Sequence, residues 1–174
     1  MVTENDIVGY TVAYDQEDIH FPVYAMTFIA VGIFGAALVN GIPLLAVVGL
    51  LPAAVAWYNL PLIEAGRPRI GSGQYGLFIE GLGLFSWRAI DAIEYVETIV
   101  RGVPTSEIHI ILKKPIGEAL LADWRQRPIA RRFMRLPWTK MSETAICIPL
   151  NILDRPPAEI HETLLRMWRF YRGK

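Results

Sequence analysis

The chain has 174 residues, 53% of them hydrophobic, with 17 basic and 17 acidic side chains and a single cysteine, Cys147. That length suits one small domain beside a membrane segment. A neutral total argues against nucleic acid as partner, and one cysteine excludes an internal disulfide or a cysteine metal cluster. The neutrality hides an asymmetry: Glu4, Asp6, Asp15, Glu17 and Asp18 precede any Lys or Arg, and every basic residue lies after position 66.

Residues 1–20 form an acidic N-terminal tail. The apolar alternation from Ile7 to Tyr14 reads as a strand that adds to the sheet expected further on; a partly disordered tail is the alternative. An acidic start also lacks the basic region of a cleavable signal, so the apolar segment that follows is expected to stay as an anchor.

Residues 21–63 contain no Asp, Glu, Lys or Arg and are divided by Asn40-Gly41-Ile42-Pro43. The segments Phe21–Val39 and Pro43–Leu60 each have the length to cross a hydrocarbon core of about 30 Å at about 1.5 Å per residue. Neither has the polar stripe of a core helix in a soluble protein, which is the alternative reading. A transmembrane helical hairpin is therefore expected, with Asn40-Gly41 as its turn and Pro43 in the first turn of the second helix. Gly32 and Ala36, and Gly49 and Ala53, are small residues four apart and are the expected helix-packing positions. Phe21, Tyr24, Trp57 and Tyr58 fall at the outer ends of both helices, where aromatic rings favour the headgroup boundary. With all Lys and Arg after the hairpin, both termini are expected on the cytoplasmic side.

Residues 64–174 change to alternating patterns. Gly76–Glu80, Gly83–Trp87, Ala92–Val100, Glu107–Lys113 and Thr144–Leu150 read as strands, with a further candidate at Gly117–Ala122. A helix from Pro157 to about Arg172 has Ile160, Leu164, Met167, Trp168 and Tyr171 on one face. The class is α+β. Gly71-Ser72-Gly73-Gln74-Tyr75-Gly76 spells the dinucleotide motif but is followed by a strand-like run, so it reads as a flexible turn. His20, His109 and His161 are scattered over a boundary, a strand and a helix, with no two of them at ligand spacing. Cys147 has no visible base, and no serine sits in a nucleophile elbow. No catalytic residue, metal, cofactor or small-molecule substrate is expected.

Gly76-Leu77-Phe78-Ile79, the W-x-x-I step Trp87-Arg88-Ala89-Ile90 and the L-D-x-x-P-x-E approach Leu153-Asp154-Arg155-Pro156-Pro157-Ala158-Glu159 carry a resemblance. Over about residues 20–172 the chain resembles bacterial membrane-anchored proteins in which a membrane hairpin precedes a pleckstrin-homology-like (PH-like) domain. The resemblance implies a bent antiparallel sheet or barrel closed by the C-terminal amphipathic helix, in a bacterial inner membrane. The acidic tail and the insertion between Asp123 and Glu143 depart from that pattern. The insertion carries Arg125, Arg127, Arg131, Arg132, Arg135 and Lys140, with Trp124, Phe133 and Trp138 between them and no acid. As a helix from about Pro128 to Leu136 it would set Ile129, Phe133 and Leu136 opposite the arginines, the pattern of an interfacial helix on anionic lipid. The alternatives are a solvated basic loop paired with the acidic tail, or a docking site for a partner membrane protein. The expected function is a non-catalytic membrane protein that contacts anionic lipid or a membrane-protein partner. Its alternative is an accessory or assembly subunit of a larger complex.

Overall fold

The computed structural model describes residues 9–15, 20–64, 66–100, 102–123, 131 and 133–173, the side chain of residue 100 excepted. The chain divides into two compact units. One takes Asp15–Ala65 with Pro128–Arg135, and the other Met1–Tyr14, Gly66–Arg127 and Leu136–Lys174.

The first unit is built on two helices, α1 (Phe21–Asn40) and α2 (Pro43–Asn59), followed by a 3-10 turn over Leu60–Ile63. The helix α1, and α2 together with the 3-10 turn that continues it to Ile63, are long and apolar enough to cross a membrane. Gly41 ends α1 in the left-handed region (φ +64°), which lets the Ile42 amide return to the Ala37 carbonyl at 3.1 Å. Polar side chains are bonded within their own helix: Thr27, Asn40 and Asn59 each donate to the carbonyl four residues back, at 2.8, 2.8 and 2.9 Å. On α1 the seam between the helices differs from the expected one, whereas on α2 the expected Gly49 lies in it. Buried positions in α1 are Val23, Ala30 and Ala37, seven apart, whereas Gly32 and Ala36 are exposed. A Cβ added to Gly32 would meet nothing within 4 Å. Each residue turns a helix by about 100°, so Gly32 lies about 200° round from Ala30, on the far side. In α2 the buried positions are Gly49 and Ala56, with Ala53 half-buried. A Cβ on Gly49 would stand 3.2 Å from Ile33 and 3.3 Å from Phe34.

The second unit is α+β. Its first sheet has the order β1 (Tyr10–Val12), β2 (Ile70–Gly73), β3 (Gly76–Ile79), β4 (Gly83–Phe85), β7 (Leu120–Asp123). Its second has the order β5 (Ile90–Val100), β6 (Val103–Leu112), β9 (Ala145–Pro149), β8 (Thr139–Lys140), and all pairings are antiparallel. A helical turn, α3 (Ile116–Ala119), precedes β7, so the strand expected over Gly117–Ala122 starts later. Among the described residues the two sheets remain separate and do not close into a barrel, one of the two forms, bent sheet or barrel, that the resemblance implies. Alternation gives each sheet one apolar face: Val12, Ile70, Leu77, Ile79 and Phe85 from the first, Ile108, Ile110, Leu112, Ile146 and Ile148 from the second, all buried. Burying each such side chain is worth about 1.5–3 kcal/mol.

The C-terminal helix α4 (Pro157–Tyr171) packs on β2, β5 and β6 and so touches both sheets. Ile160 and Leu164 are buried, the Trp168 indole donates to the Ile90 carbonyl at 3.2 Å, and Tyr171 stacks on the buried Trp87. The approach to α4 also secures the N-terminal strand. The Asp154 amide donates to the Ala13 carbonyl, and the Ala13 amide to Asp154 Oδ1, both at 3.0 Å.

Tyr10 adds a tie from β1 to α4, its hydroxyl donating to Glu159 Oε1 at 3.3 Å. Burial, then the Glu159 carboxylate, pushes its pKa from 10.0 to about 12. The folded state holds the phenol proton more tightly than the unfolded chain. This stabilisation is therefore whole below pH 10 and is lost as pH rises towards 12. Stability should fall more steeply across that window in the native protein than in Tyr10→Phe. Parallel alkaline limbs would mean that the tie contributes nothing.

Candidate functional site

The four expected boundary aromatics are all exposed, and the hairpin brings them to one end: Phe21 and Tyr24 begin α1, Trp57 and Tyr58 close α2. Part of the basic insertion meets this same end. The Arg135 amide donates to the Tyr58 carbonyl at 2.8 Å, and Arg131 Nη2 reaches Glu64 Oε1 at 3.1 Å. Between these ties Met134 is buried, while the Phe133 ring is 71% exposed.

The insertion is not a helix to Leu136. Arg131 is helical, Phe133 and Met134 form a turn and bend, and Arg135 and Leu136 are irregular. Leu136 precedes Pro137, whose ring disfavours helical backbone at the residue before it. Trp138 and Lys140 lie in the sheet unit. The Trp138 indole is half-buried and donates to the Glu80 carbonyl at 3.0 Å, and the Lys140 ammonium pairs with Glu143. Of the residues expected to contact lipid or a partner, Trp138 is thus hydrogen-bonded within the sheet unit, and Arg131 and Lys140 have carboxylate partners. Arg135 has no carboxylate partner among the described residues. Arg125, Arg127 and Arg132 lie outside the described residues.

The glycine motif is not a flexible turn. Ile70–Gly73 is strand β2, paired with β1 and β3, and a two-residue turn at Gln74-Tyr75 leads into β3. Gly76 is required there, since a Cβ would stand 1.9 Å from the Phe85 carbonyl oxygen. No helix follows, so the motif lacks the N-terminus that holds a pyrophosphate. Instead it lines a cavity of about 430 Å³ with Phe78, Leu84, Met167 and Tyr171. The buried Ser72 hydroxyl donates to Met167 Sδ at 2.9 Å.

Two of the histidines pack on aromatic rings. His161 stacks on Tyr95 at 5.4 Å between centroids, and His20 meets Tyr24 edge-on at 6.1 Å. His109 is different, because strand pairing sets it beside Cys147 and alternation beside Glu107. Burial and the Glu107 carboxylate push the Cys147 thiol to about 11, which keeps it from acting as a nucleophile near neutral pH. The Glu107/His109 half of this group was legible as an i, i+2 pair on one strand face; the arrival of Cys147 depends on register.

These features define an α+β protein with two antiparallel sheets, a C-terminal helix and two helices fit to span a membrane. No protein-family model, curated protein or solved structure matches the chain.

Proposed function

We propose that the chain is a non-catalytic integral membrane protein of a bacterial inner membrane. Its hairpin crosses the bilayer twice, both termini face the cytoplasm, and its sheet unit is a PH-like module that contacts anionic lipid at that surface. The observation that carries this reading is the inside-out hairpin. Phe28, Leu38, Val39, Leu44 and Leu51 are exposed, while glycine and alanine occupy most of the buried seam. A soluble protein rarely leaves apolar patches above a few hundred Å² in water, whereas hydrocarbon is a suitable solvent for such side chains. Support for the PH-like reading comes from two antiparallel sheets followed by one helix that packs on both.

The lipid contact centres on Phe133 and Arg135 beside the aromatic end of the hairpin, the ring entering the headgroup layer and the guanidinium meeting a phosphate. Each basic residue near an anionic surface contributes about 1 kcal/mol. A photo-crosslinking amino acid in place of Phe133, activated in native membranes and followed by mass spectrometry, tests this. Adducts with anionic phospholipid are expected. A stoichiometric adduct with one other membrane protein would instead make the chain an accessory subunit, a reading that the engagement of Arg131 and Lys140 by carboxylates favours. Adducts with neither would remove Phe133 from any contact.

A further inference from the structure

Three donors of different chemistry meet on the second sheet, and the proposed membrane role uses none of them. Alternation puts Glu107 and His109 of β6 on the face opposite the buried Ile108 and Ile110. The β6–β9 register sets Cys147 directly across from His109. Cys147 Sγ lies 3.2 Å from Glu107 Oε2, His109 Nε2 lies 3.4 Å from the same oxygen, and all three donor atoms fall within 4.8 Å of one another. Around tetrahedral zinc, with sulfur at about 2.3 Å and nitrogen or oxygen at about 2.0–2.1 Å, neighbouring ligands stand about 3.3–3.6 Å apart. Two of the three edges already have nearly that length.

We propose that Glu107, His109 and Cys147 bind a divalent metal ion of the zinc class. A thiolate, an imidazole and one carboxylate select a borderline transition ion, whereas magnesium and calcium take oxygen donors. The strand pairing holds the set in place, since Cys147 and His109 are fixed by ladder bonds rather than by a loop. Three protein ligands leave a fourth position, and the side chains of His109 and Glu107 are partly exposed, so that position is open to water. Glu94 of β5 stands directly across from His109 on its other side, so that a second carboxylate shares this face of the sheet. On binding, the Cys147 S–H bond breaks, the sulfur lone pair forms the bond to the metal, and one proton leaves to buffer for each ion bound.

The test uses the full chain in detergent under reducing conditions, without a histidine tag, titrated with Co²⁺ and then with Zn²⁺ against a chromophoric chelator. One Co²⁺ per chain is expected, with a thiolate-to-cobalt charge-transfer band in the near ultraviolet that Zn²⁺ removes. Cys147→Ser should abolish the band. His109→Gln and Glu107→Gln should each weaken zinc binding by at least about 100-fold, the upper end of what loss of an outer-shell partner costs. Because Cys147 is buried, the metal-free melting of each variant is recorded beside its affinity: Glu107→Gln keeps a side-chain oxygen that can accept from the Cys147 thiol, so weakened zinc binding with a retained cooperative melt separates lost binding from lost folding. Absence of the band in the native chain, or zinc affinity that survives both Cys147→Ser and Glu107→Gln, would overturn the proposal.

Discussion

Replacing Glu80 by Ala is expected to lower the unfolding free energy of the sheet unit by about 3–5 kcal/mol, the cost of removing one partner from a buried ion pair. Arg69 is wholly buried and Glu80 only 12% exposed, and Arg69 Nη1 pairs with Glu80 Oε2. Arg67 Nη2 approaches the other carboxylate oxygen at 3.6 Å, and the Arg69 guanidinium lies 4.7 Å above the Tyr14 ring. The backbone is bound here as well, with the Glu80 amide on the Arg69 carbonyl at 2.8 Å and the Trp138 indole on the Glu80 carbonyl. Alanine preserves these backbone bonds and removes the carboxylate with its Cγ methylene, so that the buried Arg69 loses its ion pair with Glu80. The double variant Arg69→Met with Glu80→Leu removes both charges, and its loss should be much smaller than that of Glu80→Ala alone. Denaturant unfolding of the full chain in detergent, followed by tryptophan fluorescence, reads both. A loss below about 1 kcal/mol for Glu80→Ala would mean that water solvates the pair.

Periodicity made the elements legible and register hid the contacts between them. Ile108, Ile110 and Leu112 were readable as one strand face, and Ile160 and Leu164 as a helix face, because both periods are written in adjacent residues. Strand β2 was hidden behind its glycines: Gly71 and Gly73 have no side chain to alternate, and the chemistry of the segment lies in backbone pairing. The Arg69–Glu80 pair was missed because a charged residue at the edge of a polar linker looks solvated until its strand is placed. In the basic insertion one pairing was hidden for the same reason. Its lack of acids was plain, yet Glu64, which pairs with Arg131, stands 67 residues away. In the hairpin, small residues four apart were visible, but which face they share with the partner depends on helix rotation: Gly49 of α2 lies in the seam as expected, whereas on α1 Ala30 and Ala37 take the place of Gly32 and Ala36.

Val31→Arg is expected to reduce retention of the full chain in alkali-washed membranes sharply, while Phe21→Arg should leave it nearly unchanged. Val31 is in the middle of α1 and 64% exposed, and Phe21 is the first residue of the same helix and also exposed. In water an exposed Val replaced by Arg typically shifts stability by no more than about 0.5 kcal/mol, wherever it lies along the helix. In a bilayer the cost depends on depth: about 2.5–3.5 kcal/mol at the helix centre, and much less at an end where the side chain reaches the headgroups. The central penalty corresponds to about a 100-fold change in partition. Depth dependence thus discriminates between lipid and water as the solvent of this surface, which exposure alone does not. Equal retention of the two variants would mean that α1 does not lie across a bilayer. Loss with Val31→Arg alone would mean that the large apolar residues around the hairpin face hydrocarbon.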